Sequence, residues 1–263
     1  MESNVEMRSI GFTPQWPTPA NVRAFVTTRT GGASQNAYAS NNLALHVGDN
    51  PAKVEENRLQ LQSTLNLQQQ PCWLTQVHGT RLVDASSQCS SKTPCSSDLS
   101  IHEADGSFIR EVGVACAVLT ADCLPVLMCD NQGVQVAAIH AGWRGLAAGI
   151  LTNAVNSFSA PANQLNAYLG PAISQAYFEV GAEVCEEIDC NLGLKRNQYS
   201  LPSIDSGRLM VDLYEAARLH LAALGVNEVY GGNNCTYRDE NQFYSYRRDG
   251  ITGRMASLIW KTS

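Results

Sequence analysis

Between Val114 and His140 the chain is apolar almost throughout, and the points where that run is interrupted decide what it can fold into. Val114–Leu119 is apolar and partly β-branched. Val126–Cys129 ends at Asp130-Asn131-Gln132-Gly133, a cluster of turn residues, and Val134–His140 resumes the apolar pattern. Short apolar runs bounded by turn signals predict strands, and the tight turn predicts that the second and third form a hairpin or lie side by side. On the third strand Val134, Val136, Ala138 and His140 fall on one face, and Gln135, Ala137 and Ile139 on the other. The longest apolar stretch, Val112–Cys129, is broken by Asp122 and Pro125. No unbroken apolar run therefore approaches the roughly 18 residues of a membrane span.

Further strands are expected at Phe25–Thr28, Trp73–Val77, Ala167–Leu169, Glu228–Tyr230, Phe243–Tyr246 and Ala256–Trp260. Helix signals stand in three places. Asn50-Pro51 reads as an N-cap followed by proline at the first helical position, with Val54, Leu61 and Leu65 on one face. A second helix is expected after Gly145, with Leu146, Ile150, Val155 and Phe158 inward. The third, Val211–Leu224, is apolar at 213, 217, 221 and 224 and ends at Gly225. Strands outnumber helices, and hairpins mix with helical crossovers, which predicts an α/β fold: one mixed-sheet α/β sandwich domain over residues 1–263. Ser86–Ser97 (SSQCSSKTPCSS) reads as a long surface loop.

The charge balance, 18 Lys and Arg against 24 Asp and Glu, gives a net charge of −6. It argues against a nucleic-acid or anionic-membrane partner, since both run on excess basic charge. The first residues carry acids and no apolar core of a secretory signal, so the expected location is cytoplasmic. Nine cysteines, an odd number without such a signal or any C-x-x-C, argue for free thiols rather than a disulfide framework. Cys89 and Cys95, in the long loop, are the thiols expected to oxidise first.

Two of the five histidines stand in unusual company. His78 ends a predicted strand before Gly79 (TQVHG), and His140 does the same before two glycines (HAGWRG). Between them Asp122 and Cys123 interrupt an apolar run (TADCLP). Polar groups at strand ends, beside glycines that permit close approach, are where α/β folds build sites. A thiolate and two imidazoles make a zinc set with a fourth position left open; the long-range spacing matches no short zinc signature. Arginines form a second constellation: Arg29 in TTRTGG, Arg144 beside His140, and Arg247-Arg248 in YSYRRDG. Their planar forks suit phosphate or carboxylate oxygens. Tyr244, Tyr246 and Arg248 are expected on one face of a strand, with one guanidinium of the pair reaching the cleft of His140.

TQVHG, TADCLPVL, HAGWRGL, YLGPAI, the N-terminal TTRTGG…NNLALHVGDNP…ENR and the C-terminal FYSYRRDGITGRMASLIW together resemble the YfiH/laccase-domain family, from about Phe25 to Trp260. The resemblance implies a zinc site made by His78, Cys123 and His140, with copper as the other candidate metal. It implies phosphorolysis of adenosine, inosine and S-methyl-5′-thioadenosine, with adenosine deaminase activity. The substrates would then be a small nucleoside and phosphate, with Arg29, Asn42, Arg144, Arg247 and Arg248 as candidate binding residues. Asp105 is retained in A-D-G-S, where the family commonly reads A-D-A followed by Leu or Val. Asn42 is retained in N-N-L, where L-N-L is common. Two other functions are consistent with the same residues. One is a Cys–His hydrolase editing cell-wall precursors, with Cys123 as nucleophile and His140 as base. The other is a copper-dependent polyphenol oxidase, which would need a multinuclear cluster built from many more histidines.

Overall fold

The computed structural model describes residues 10–86, 103–205 and 207–263. The loop expected at Ser86–Ser97 lies outside these from residue 87 onward, and with it Cys89 and Cys95. The strands are β1 (Gly11–Phe12), β2 (Val22–Thr27), β3 (Leu82–Asp84), β4 (Gly106–Ile109), β5 (Ala115–Thr120), β6 (Leu124–Asp130) and β7 (Val136–Ala141). They continue with β8 (Leu165–Leu169), β9 (Glu179–Gly181), β10 (Ser200–Pro202), β11 (Arg208–Val211), β12 (Glu228–Gly231) and β13 (Met255–Lys261). The helices are α1 (Pro51–Thr64), α2 (Trp143–Ala147), α3 (Ile150–Ser157), α4 (Ala182–Leu192), α5 (Leu213–Ala223) and the single turn α6 (Tyr246–Asp249).

A six-stranded sheet, ordered β12-β8-β6-β7-β4-β3, packs against a four-stranded sheet, ordered β1-β2-β13-β5. The large sheet is mixed: β12 with β8 and β3 with β4 run parallel, the rest antiparallel. Side-chain alternation defines the layers. Leu124, Val126 and Met128 of β6, with Ala137 and Ile139 of β7, face Leu146, Ile150, Ala217 and Leu221 on the helices. Leu127, Cys129, Val136 and Ala138 face Val118, Val26 and Ile259 of the smaller sheet. The far side of that sheet, with Phe25, Ala117 and Leu258, is covered by Leu61 and Leu65 at the end of α1. The result is a four-layer α/β sandwich whose central strands are buried on both faces, which is why they read as unbroken apolar runs.

The β6–β7 hairpin forms as its turn residues require. Asp130 accepts from the backbone N–H groups of Gln132, Val134 and Gln135, and Gly133 takes φ +64°. Asn50 caps α1 by accepting from the Ala52 N–H, with Pro51 following. Four expectations are corrected. The helix expected after Gly145 begins at Trp143 and is split at Gly149, whose φ of +90° no helix accommodates. The third helix starts at Leu213 because Asp212 caps it, so Val211 belongs to β11. Trp73–Val77 is not a strand. The Gln76 amide bonds both the N–H and the C=O of Leu119, taking the place of a ladder partner. Phe243–Tyr246 is not a strand either: Ser245 accepts from the Arg248 N–H and starts α6. Among the described residues no helix is long and apolar enough to cross a membrane.

Candidate metal centre

Two loops and a strand end bring His78, Cys123 and His140 together. His140 is the penultimate residue of β7, Cys123 sits in the turn between β5 and β6, and His78 lies in the loop leading to β3. One potential ligand atom from each lies within 4.8 Å of the others. The Cys123 Sγ is 3.7 Å from His78 Nε2, and the two imidazoles cross at 73° with centroids 4.8 Å apart. His140 is buried, Cys123 half-buried and His78 exposed, so the cluster faces outward into a cavity of about 340 Å³.

A single carboxylate positions both histidines. Asp105, fully buried before β4, accepts from His140 Nδ1 at 2.8 Å and leaves the other ring nitrogen toward the cluster. Its two oxygens also accept the backbone N–H groups of Val77, His78 and Gly79 at 3.2, 2.9 and 2.7 Å. They thereby hold His78 at φ +60°, a left-handed conformation that a non-glycine residue adopts only under constraint. Gly142 leaves the room: a Cβ there would lie 2.9 Å from His78 Cδ2 and 3.1 Å from Cys123 Sγ. Two borderline nitrogens and a soft thiolate, oriented by an outer carboxylate and open on one side, fit a zinc or copper ion.

Burial pushes the Cys123 thiol up, but the adjacent His140 and His78 outweigh it and bring it down to about 6. Burial likewise pushes His140 down, and the Cys123 thiolate and Asp105 outweigh it, raising the imidazole to about 9. Without metal the pair is therefore thiolate and imidazolium near neutral pH. Burial instead raises Cys116, Cys129 and Cys185. Metal-free protein should therefore carboxymethylate at Cys123 at pH 7, with a rate that falls as pH drops through about 6, while bound metal protects it. Peptide mapping across that pH range checks this; uniform modification at the buried thiols instead would contradict it.

The other residues singled out in the sequence go elsewhere. Asn42 is fully buried and donates to Ala44 O and Asp49 Oδ2, while its oxygen accepts from the N–H groups of Ala44 and Arg254. Arg29 donates to the carbonyls of Ala39 and Glu240 and lies over the Tyr244 ring. Arg144 is exposed and stacks on Trp143. Arg247 donates to the carbonyls of Tyr177 and Glu179, and Arg248 to those of Thr236, Tyr237 and Phe243 and to Asp249. Neither lines the cavity. Its wall beyond the cluster is made by His46, Gln76, Leu119, Thr120, Ala121, Tyr246 and Arg254. Sequence reasoning gave His46, Tyr246 and Arg254 no part in the site. A charged residue after Gly253 at the head of an apolar strand was the available signal for Arg254.

A family model described as multi-copper polyphenol oxidoreductase laccase matches residues 23–262. A Pseudomonas aeruginosa protein named purine nucleoside phosphorylase is 48% identical over 249 residues, 95% of this chain and 97% of that protein. Purine nucleoside phosphorylase YfiH of Escherichia coli is 45% identical over 250 residues, 94% of this chain and 97% of that protein. A crystal structure of a Neisseria meningitidis protein of family DUF152 superposes with a TM-score of 0.87 at 47% identity, covering 96% of this chain and 99% of that one. YlmD from Geobacillus stearothermophilus superposes with a TM-score of 0.81 at 32% identity, covering 93% of each chain. A match that begins in β2 and ends after β13 takes in the whole six-stranded sheet, all but β1 of the four-stranded one and every residue of the His–Cys–His cluster, and on that ground the chain belongs to the laccase-like YfiH/DUF152 family.

Proposed function

We propose that this chain is a zinc-dependent purine nucleoside phosphorylase that cleaves adenosine, inosine and S-methyl-5′-thioadenosine with phosphate, and that it also deaminates adenosine by hydrolysis. The observation that carries the reading is the convergence of His78, Cys123 and His140 on a cavity of nucleoside size, in a chain 45–48% identical to proteins named purine nucleoside phosphorylase. Zinc suits two imidazoles and a thiolate, and copper is the other metal that the set would accept. Bound there, zinc would supply Lewis acidity and make water reactive near neutral pH. The chain's own residues do the positioning. Asp105 fixes the His140 ring, and Gly142 keeps the space between the ligands clear. Leu119, Ala121 and Tyr246 offer an apolar wall for a purine face. The partners are small molecules, a nucleoside and phosphate, met in the cytoplasm.

A second reading has one observation in its favour. A depressed Cys123 thiol beside His140, itself held by Asp105, is the nucleophile–base–orienter order of a Cys–His hydrolase. Incubating metal-loaded and chelator-stripped protein with adenosine, with and without phosphate, separates the two. The phosphorylase reading expects adenine and ribose 1-phosphate only with phosphate, inosine in either case, and no turnover after chelation. Absence of any sugar phosphate sinks it, and undiminished amide hydrolysis by stripped protein favours the hydrolase. Elemental analysis of protein purified without added copper distinguishes zinc from copper.

A further inference from the structure

Phosphorolysis needs an oxyanion held beside the bond that breaks, and the guanidinium groups of Arg29, Arg247 and Arg248 are committed to backbone carbonyls away from the cavity. Arg254 stands apart from them by its place. It lines the cavity together with His78, Cys123 and His140. Among the described residues only its Nη1 donates a hydrogen bond, to the carbonyls of Thr252 and Gly253 at 2.9 and 3.0 Å, while its Cζ lies 5.8 Å from the centroid of the Tyr246 ring. Among the described residues no carboxylate pairs with it, and the cavity wall contains no aspartate or glutamate. Nε and Nη2 are left as two parallel donors on a half-buried cation, and that fork matches two oxygens of one anion.

The position is built rather than accidental. The Arg254 N–H donates to Asn42 Oδ1 at 3.0 Å, and Leu43 N–H donates back to the Arg254 carbonyl at 3.3 Å. Asn42 Nδ2 donates to Ala44 O, the residue that leads into the 3-10 turn Leu45–Val47 carrying His46. One buried amide therefore ties together two segments more than two hundred residues apart and presents His46 and Arg254 on the same wall. Partial desolvation, then the charges of Arg254 and Arg58, hold His46 below its ordinary value, and in either protonation state its ring offers an N–H to an anion.

We propose that Arg254, with His46 beside it, is the oxyanion subsite of this cavity and takes inorganic phosphate, the second substrate of the reaction proposed above and dependent on that reading. The guanidinium fork holds two phosphate oxygens and His46 a third. The remaining oxygen attacks the ribose C1′. As the C1′–O bond forms, the C1′–N9 bond breaks, its electron pair leaves with the purine, and the purine gains through water the proton that the hydrogen phosphate gives up. No oxidant or reductant enters.

The test measures phosphate binding directly, by titration calorimetry of inorganic phosphate into metal-loaded protein, and compares wild type with R254Q, R254K and H46Q. R254Q should bind phosphate about 10–100-fold more weakly, the loss expected for hydrogen bonds to a charged group. R254K should fall between R254Q and wild type, because it keeps the charge and loses the fork. Metal content and thermal midpoint, measured alongside, should match wild type. Wild-type phosphate affinity in both Arg254 variants overturns the proposal, and so does a wild-type protein that binds no phosphate. A nucleoside monophosphate that outbinds its nucleoside, with the advantage lost in R254Q, moves the anion onto the substrate and overturns the free-phosphate assignment. Because binding is read without turnover, phosphate bound through Arg254 with no phosphorolysis faults the phosphorylase reading alone. Phosphorolysis at an unchanged KM for phosphate in R254Q faults the subsite alone.

Discussion

The Asp105→Ala variant is expected to lose about 3–5 kcal/mol of stability, the cost of stripping one partner from a buried charged pair. The size follows from what the carboxylate holds. It is fully buried, its partner His140 is nearly so, and it also takes three consecutive N–H groups from residues 77–79. Removing it orphans those donors and releases His78 from its left-handed backbone. Asp105→Asn keeps the volume and one acceptor oxygen, and should lose less stability while still weakening metal affinity by about 10–100-fold. The pH dependence has a definite sign. Burial pushes Asp105 up, but the His140 hydrogen bond and the backbone donors outweigh it and hold the carboxyl below its ordinary value. Its contribution is therefore complete above the ordinary carboxylate range and is lost as pH falls through the lower folded-state value. Denaturant titrations at pH 7 and in acid should converge for wild type and Asp105→Asn at the low end. Equal midpoints at pH 7, with equal metal affinity, would show that Asp105 does not organise the centre.

Cys123→Ala should have the largest effect on activity. It leaves two imidazoles where three donors converge, and a metal worth several kcal/mol in the transition state corresponds to a loss of about 10³-fold in turnover. Elemental analysis should find substoichiometric metal, and the melting midpoint should stay near that of metal-free wild type. This result separates the two roles open to the thiol. A nucleophile lost by substitution abolishes activity but leaves the metal in place, whereas a ligand takes the metal with it. Stoichiometric metal in Cys123→Ala would remove the thiol from the ligand set.

The parts of the fold legible in the sequence are those governed by local chemistry. The turn at Asp130–Gly133, the Asn50-Pro51 cap and the apolar runs of β5, β6 and β7 each announce themselves within a few residues. Phe243 and Tyr244 misled because aromatic residues suggest a strand. They are fully buried as anchors of a loop packed against Ala121 and Met255, and Ser245 then starts a turn of helix instead. The acidic helix α4 has its buried residues at Val184, Cys185 and Ile188, a short stripe that its four acids obscure. At the centre, His78, Cys123 and His140 were visible because each stands at a strand end beside a glycine or within an apolar run. The service of Asp105 to two histidines, and the meeting of His46 with Arg254, depend on contacts across 27 to 212 positions that no local pattern encodes.

The place of β13 between β2 and β5 sets a timetable for synthesis. Thr27 Oγ1 accepts from the Ala256 N–H, 229 positions further along, so β2 leaves the ribosome with its neighbour still unmade. At roughly 5–20 residues per second that wait is on the order of 10–50 s. Throughout it, β2 and β5 lack the strand that joins them, an exposed-edge state that invites intermolecular pairing and gives chaperones a reason to engage. Arg254 stands immediately before that last strand. The cavity wall is therefore completed only when β13 docks, so a nascent chain can gather His78, Cys123 and His140 well before it can close the pocket around them.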